Sequence, residues 1–373
     1  MLTIWTKRTK VQKAYLRLKD KTTFEGIAYG CISPVAGEVV FNTSMTGYPE
    51  ILSDPSYNGQ MVVMTYPLIG NYGVDEAEHE SSGISAAALI VKKLYRGPLP
   101  EGKRSLEEYI TSNGGVLIEG IDTRALTIHI REHGSQNGII YTEGHEDKAD
   151  AMLESFPLIT ERDLITEAAV KEKTVNPDLG TGFVKAPENP AYNIAVADYG
   201  IKYSIIEDFY KRGCSVTLLP PTWTSEDVLD RGFDMLFLSN GPGDPAYLQE
   251  TVKEIRKCIG KIPVRGICLG HQLITIALGG RTVKMEFGHH GGNQPVLDVF
   301  TGKTFVTSQN HGFMSDESSF PEGVEVWLRN ANDQSVEGLV QRKLNVMSVQ
   351  FHPEASPGPH DRKDIFDIFL KEL

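Results

Sequence analysis

The sequence predicts an α/β protein in two parts: a C-terminal domain built on a mostly parallel sheet with helices on both faces, and an N-terminal mixed β-rich α/β domain. Three observations carry this. The chain has 373 residues, long enough for two domains. From Tyr192 onward, short apolar runs alternate with helical segments in a β-α-β rhythm. Before residue 141, short strand-like runs are instead punctuated by glycines and turns.

In the N-terminal half, Ala14–Leu18 and Glu38–Asn42 read as strands, with Gly26, Gly30 and Gly37 interrupting the pattern. Asn113-Gly114-Gly115 signals a turn. Asp122 reads as the N-cap of a short helix running to His133 and stopped by Gly134. Residues 141–190 are rich in Glu, Asp and Lys and end in a proline-bearing loop, so they read as a linker assigned to the first domain (1–190), with a helical stretch around Asp147–Glu154. The second domain spans 191–373. Its strands are expected at Asn193–Ala197, Ser215–Leu219, Asp234–Leu238 and Pro263–Ile267, with a helix from Lys202 to Arg212 closed by Gly213. Ligands of such sheets bind at the C-terminal ends of the strands.

The motifs fall at those ends. Gly266-Ile267-Cys268-Leu269-Gly270 follows a strand and opens a helix ended by Gly279-Gly280, the pattern of a nucleophile elbow with cysteine as nucleophile. The glycines permit a sharp turn, and a helix N-terminus favours thiolate. A buried structural cysteine is the commonest fate of a free thiol, but it leaves the paired glycines unexplained. His352-Pro353-Glu354 follows a strand-like run from Asn345 to Phe351. Pro353 favours an extended backbone at His352, which would place His352 and Glu354 on one side, a base and its orienting carboxylate. The loop from Ser239 to Pro245 contains Gly241-Pro242-Gly243. An acyl-transfer oxyanion needs backbone N–H donors, and Gly241 and Leu269, the residue after the nucleophile, are the candidates.

Other features carry less. Gly302-Lys303-Thr304 lacks the first glycine of a phosphate loop, which would fall at Leu297, and reads as a hairpin turn. His129 and His133 have a zinc-ligand spacing without the accompanying Glu, and read as a solvated helix face. His289-His290, between Gly288 and Gly291-Gly292, reads as a mobile loop, and no metal site is expected. Asp364–Leu370 reads as a docked helix. A formal net charge of −12 argues against nucleic acid as a partner, and no apolar run approaches the roughly 20 residues of a membrane span. The basic start, Met1–Lys13, lacks the apolar core of a secretory signal. Cys31, Cys214, Cys258 and Cys268 show no pairing logic and suit a reducing, cytoplasmic setting.

Gly266-Ile-Cys-Leu-Gly-His-Gln272, the Gly-Pro-Gly loop and His-Pro-Glu together resemble the class I glutamine amidotransferases over residues 191–373. The N-terminal half narrows this. Gly37-Glu-Val-Val-Phe-Asn-Thr43, Met45-Thr-Gly-Tyr-Pro-Glu50, Asp54-Pro-Ser-Tyr57, Thr65-Tyr-Pro67, Ile69-Gly-Asn-Tyr-Gly73 and Gly120-Ile-Asp-Thr-Arg124 resemble the small subunits of carbamoyl-phosphate synthetases. So do Gly288-His-His-Gly-Gly-Asn293 and Gln309-Asn-His-Gly-Phe313. The chain departs from that pattern in its basic leader, in Asp20-Lys21 and in Tyr203-Ser204.

The resemblance implies a glutaminase triad of Cys268, His352 and Glu354, and L-glutamine binding by Ser56, Gly241, Gly243, Leu269, Gln272, Asn310, Gly312 and Phe313. It also implies ammonia delivery to a large subunit that holds ATP and Mg and makes carbamoyl phosphate from bicarbonate for arginine or pyrimidine synthesis, with no cofactor in this chain and a tetramer of heterodimers as the assembly. The competing readings are a stand-alone glutaminase or γ-glutamyl hydrolase, or a non-catalytic scaffold subunit.

Overall fold

The computed structural model describes residues 12–30, 34–371 and 373. Most of the basic leader, up to residue 11, and Cys31 lie outside the described residues. In chain order the strands are β1 Gln12–Leu18, β2 Thr23–Gly30, β3 Val35–Asn42, β4 Gln60–Met64, β5 Leu68–Ile69, β6 Ala88–Val91, β7 Lys93–Leu94, β8 Val116–Glu119 and β9 Gln136–Thr142 in the N-terminal half. The C-terminal half has β10 Thr174–Val175, β11 Tyr192–Ala197, β12 Cys214–Leu219, β13 Met235–Leu238, β14 Val264–Ile267, β15 Arg281–Asp298, β16 Thr304–Asp316, β17 Glu325–Asn330, β18 Val336–Gln341 and β19 Val346–Val349. The helices are α1 Tyr48–Ser53, α2 Leu106–Ser112, α3 Thr123–His133, α4 Glu146–Ser155, α5 Ile165–Ala168, α6 Tyr203–Lys211, α7 Ser225–Leu229, α8 Gln249–Cys258, α9 Leu269–Leu278 and α10 Asp364–Lys371.

Seven N-terminal strands close into a barrel in the order β1-β2-β8-β6-β4-β3-β9. Closure rests on β9, which pairs antiparallel with both β1 (Leu16↔Ile140) and β3 (Val35↔Ile140). The alternation that marked Ala14–Leu18 as a strand reflects its inner face: Ala14, Leu16 and Leu18 are buried with Val39, Met61 and Ile118. Asp122 caps α3 through its side chain, which accepts from the Ala125 N–H, and Gly134 ends it at φ 83°.

The C-terminal sheet has ten strands in the order β10-β12-β11-β13-β14-β19-β18-β17-β15-β16. Its five central strands, β12 to β19 in that order, are parallel. An antiparallel extension follows through β18, β17, β15 and β16. Period-two alternation divides the core. Ile194, Val196, Met235 and Phe237 pack with α6 and α10 on one face, while Ala195, Ala197, Leu236 and Leu238 pack with α8 and α9 on the other. The Asp364–Leu370 segment is docked through Ile365, Phe366, Phe369 and Leu370.

Two sequence expectations need correction. Residues 141–190 are not a free linker. α4 packs beside β9, burying Ala149 and Leu153 against Ile139 and Tyr141, whereas β10 pairs antiparallel with β12. The segment is thus divided between the two halves, and the C-terminal sheet begins upstream of residue 191. His289-His290 is not a mobile loop either. Both residues lie buried within β15, which runs unbroken through the flanking glycines. Those glycines mark register shifts in the β15–β16 ladder, between Lys284 and His289 and between Gly291 and Gln294. Gly288 at φ 70° and Gly291 at φ 143° adopt backbone that other residues rarely take, so they serve bulges here and not a turn. The Gly302 segment is the hairpin turn between β15 and β16, with the Gly302 N–H bound to the Asp298 carbonyl at 2.8 Å. His129 Nε2 lies 2.6 Å from Asp20 Oδ2. No helix among the described residues is long and apolar enough to cross a membrane.

Candidate active site

The strand order explains why distant motifs meet. β13, β14 and β19 are adjacent parallel neighbours, so the segments leaving their C-terminal ends converge: residues 239–245, Cys268 and His352. Cys268 sits at the N-cap of α9 with φ 55° and ψ −106°, a conformation costing about 1–3 kcal/mol for a residue with a side chain. The flanking glycines make the turn possible. A Cβ on Gly270 would lie 2.1 Å from the Leu238 carbonyl oxygen, and one on Gly266 would lie 2.7 Å from the Gly270 carbonyl carbon. The sulfur is 3.5 Å from the Asn310 carbonyl and almost fully buried.

His352 is fixed by a backbone bond to the Ser308 carbonyl at 2.8 Å. Its Nδ1 lies 2.7 Å from Glu354 Oε1, so Nδ1–H donates to the carboxylate and Nε2 is left without a hydrogen-bond partner among the described residues. His352 itself is extended as expected, bridged antiparallel to Ser308, but the chain turns directly after it. The Ala355 N–H bonds the His352 carbonyl at 3.2 Å, closing a turn over 352–355 with Ala355 at φ 50°, and Glu354 reaches the ring from within that turn.

Lys202 was not foreseen. Its Nζ donates to Glu354 Oε1 at 2.8 Å and to the Ser356 carbonyl, in a pair whose side chains are 3% and 0% exposed. Burial works against every charge here. The nearby Lys202 ammonium and His352 ring nevertheless hold the Glu354 carboxyl well below the usual range. Burial likewise disfavours a charged His352, but Glu354 and the Cys268 sulfur overcome it and raise its pKa.

The cleft beside Cys268 is lined by Ser56, Gly241, Gly243, Gln272, Asn310 and Gly312, with Phe313 at its wall. Leu269 contributes its backbone at the first position of α9. All eight residues expected at a glutamine site are therefore gathered around the sulfur, although not all have free side-chain groups. Gln272 Nε2 is occupied by the Phe313 carbonyl at 3.0 Å and by Gln350 at 3.1 Å, leaving its oxygen. Asn310 is held at both ends, by His290 at 2.8 Å and Asp54 at 3.3 Å. Ser56 Oγ accepts from Asn240 at 2.9 Å, so its O–H remains available to a ligand.

The Gly270 N–H is taken by the Ser239 carbonyl at 3.0 Å. The Gly241 and Leu269 N–H groups have no acceptor among the described residues. At Gly241 a Cβ would lie 2.3 Å from the Tyr199 carbonyl and 3.0 Å from Leu269 Cδ2, which shows how closely the two donor segments approach.

The cleft lies between the two halves. Ser56 and Asp54 come from the barrel side, and Asn240 and Asn310 from the sheet. Lys284 and Glu38, 2.7 Å apart, pair across the same boundary. The Tyr203-Ser204 departure also lies on it, since the Ser204 hydroxyl donates to buried Glu80 at 2.6 Å. Asp54, Asn240 and His290 lie in motifs visible in the sequence, but their side-chain roles and that of Lys202 are not, because Asp54, Asn240 and Lys202 act through partners more than 100 residues away and His290 sits in a segment that resembled a loop.

Residues 16–140 match the family model described as carbamoyl-phosphate synthase small chain, CPSase domain, and residues 195–372 match that of glutamine amidotransferase class-I. The carbamoyl phosphate synthase small chain of Syntrophotalea carbinolica is 47% identical over 369 residues, covering 96% of each chain. Those of Clostridium perfringens and Aquifex aeolicus are each 44% identical, covering 96% of this chain and 99% and 98% of theirs. With both domain models matched in order and nearly the full length shared, the chain belongs to the carbamoyl phosphate synthase small-chain family.

Proposed function

We propose that this chain is the glutamine-hydrolysing subunit of a carbamoyl-phosphate synthase, and that it releases ammonia from L-glutamine through a thioester on Cys268. One observation carries the reading: the buried Cys268 sulfur interacts with the His352 ring that Glu354 holds, and it opens onto a cleft lined by Gly241, next to the Leu269 N–H at the start of α9.

In the first half-reaction the Cys268 thiolate attacks the side-chain amide carbon of glutamine. The carbonyl oxygen takes the negative charge and is held by the Gly241 and Leu269 N–H groups. Protonated His352 gives its Nε2 proton to the departing nitrogen, the C–N bond breaks and ammonia leaves. In the second half-reaction neutral His352 takes a proton from water, the hydroxide attacks the thioester and glutamate leaves as the C–S bond breaks. Glu354 holds the Nδ1–H tautomer throughout, and Lys202 keeps Glu354 ionised and oriented. Ser56, Gln272 and the 310–313 segment position the substrate.

Family membership supports a large-chain partner. The reading assigns bicarbonate and ATP chemistry, with its Mg, to that partner, with ammonia passed internally and the product feeding arginine or pyrimidine synthesis in the cytoplasm. A tetramer of heterodimers is the assembly that goes with it. The test uses the complex with the large chain. Cys268→Ser is expected to abolish glutamine-dependent carbamoyl phosphate synthesis and glutamate release while synthesis from added ammonia persists. Normal glutamine-dependent synthesis would remove the nucleophile assignment. Full glutaminase activity with no response to the partner would favour a stand-alone hydrolase, and no glutamate release from the wild-type complex would favour a scaffold.

A further inference from the structure

A second buried cluster lies behind the strand that lines the cleft. His289 on β15, His311 on β16 and Glu337 on β18 each turn one potential ligand atom toward a common point, all within 4.8 Å of one another. They are 8%, 5% and 0% exposed, so this is an interior group and not a surface patch.

The outer ring nitrogens are already committed. His289 Nε2 faces Asp333 Oδ2 at 2.9 Å, which leaves Nδ1 inward, 3.7 Å from Glu337 Oε1 and 3.5 Å from the Asn330 amide nitrogen, a long contact that an ion would replace. His311 Nδ1 faces the Phe313 carbonyl at 2.8 Å. A carbonyl only accepts, so Nδ1 carries the proton. In that Nδ1–H tautomer Nε2 presents a lone pair. The nearest group to that lone pair is Gln309 Oε1 at 3.1 Å, while the Gln309 amide nitrogen is engaged by Thr307 Oγ1. Glu337 Oε1 receives one long bond from Asn330 at 3.3 Å, and Oε2 has no hydrogen-bond partner among the described residues. A carboxylate wholly removed from water with an unsatisfied oxygen is costly unless a cation or proton fills the gap.

Inward lone pairs, outer N–H groups anchored to a carboxylate and a backbone carbonyl, and a buried carboxylate are the features of a metal ligand sphere with its supporting shell. We propose that His289 Nδ1, His311 Nε2 and Glu337 bind one divalent transition-metal ion, zinc by the nature of the donor set, with Gln309 Oε1 placed as a fourth ligand. Zinc at about 2.0–2.1 Å from tetrahedral ligands sets neighbouring donors about 3.3 Å apart. The separations of 3.7 Å and 3.1 Å lie on either side of that value. An open cleft lined by Lys284, His289, Asp333 and Ser335 leads to the cluster from outside. His311 lines the glutamine cleft on the other side, so the ion would tie three strands together behind Asn310 and Phe313.

The test is a titration of the chelator-stripped full-length chain with Co(II) as spectroscopic probe, followed by Zn(II) competition. One equivalent of Co(II) is expected to give the visible absorption of a four-coordinate site and to be displaced by Zn(II). The signal should persist in Cys268→Ser and vanish in His289→Gln and Glu337→Gln. If those buried variants do not fold, Asp333→Asn decides, since its side chain is partly exposed. Affinity weakened by about 10–100-fold supports the site, and unchanged affinity overturns it. Failure of the wild type to take up a stoichiometric ion overturns the proposal, as does a signal that depends on Cys268 and not on Glu337. Because uptake is read without turnover, these outcomes are independent of whether the chain hydrolyses glutamine.

Discussion

His352 and His289 are both buried histidines held by carboxylates, and their surroundings are built on opposite electrostatic plans. His352 has one carboxylate, Glu354, which is itself matched by the Lys202 ammonium. Its other nitrogen has no hydrogen-bond partner among the described residues, and the ring interacts with Cys268, the proposed nucleophile. His289 has two carboxylates, Asp333 and Glu337, and a neutral imidazole as neighbour. The second group has no counterpart of the Lys202 ammonium among the described residues, and that is the place a divalent cation would take in the proposed site. The first group is balanced once thiolate and imidazolium form together. A histidine beside a carboxylate is thus a general base only where the remaining charge is already settled and the second nitrogen is free to exchange a proton.

The largest break in this comparison comes from Glu354→Gln. A neutral amide no longer fixes the Nδ1–H tautomer or stabilises imidazolium, and glutamine turnover in the complex should fall on the order of 10⁴-fold with ammonia-dependent synthesis retained. Lys202→Met makes the first site resemble the second by leaving Glu354 buried without its cation. Stability by denaturant unfolding should drop by about 3–5 kcal/mol, with glutaminase activity reduced in the folded fraction. Gly241→Ala leaves both histidines untouched and moves a proposed oxyanion donor, since the new Cβ meets the Tyr199 carbonyl. A loss on the order of 10²–10³ in kcat, with little change in KM, is expected.

The smallest effect is that of His289→Gln in the metal-free chain. The folded pKa of His289 is raised above its unfolded value, so its ion pairs stabilise fully below the unfolded pKa of about 6.5 and lose that contribution as pH rises through about 9. The Tm difference from wild type should be largest near pH 5–6 and shrink by pH 9. A difference that grows with pH would mean that the ring is not charged in the folded chain.

What could be read from the sequence follows the range of the interactions. The elbow is visible because its constraint is local: two glycines around Cys268 answer to clashes within a few residues or with the neighbouring strand end. Glu354 is visible because it is two residues from His352, even though a turn and not an extended segment brings it there. Lys202 is not visible. A lysine at the start of an amphipathic helix resembles a solvated residue, and only packing against the 354–356 segment, 152 residues away for Glu354, buries it. Barrel closure is equally hidden, because it depends on β9 pairing with strands at the start of the chain. The glycines around His289-His290 were misleading for a physical reason: the freedom that permits a loop also permits bulges in a long strand.

The short strand β10 has a practical consequence. It is the outermost strand beside β12, and it comes from the acidic segment that would ordinarily be discarded as a tether. A fragment starting at residue 191 would retain the proposed catalytic groups Cys268, His352 and Glu354 yet present the bare backbone of β12 to solvent, an invitation to intermolecular pairing. A fragment starting a few residues before Thr174 would carry its own cover. Comparing the sedimentation of the two fragments would show whether those residues act as a hem on the sheet.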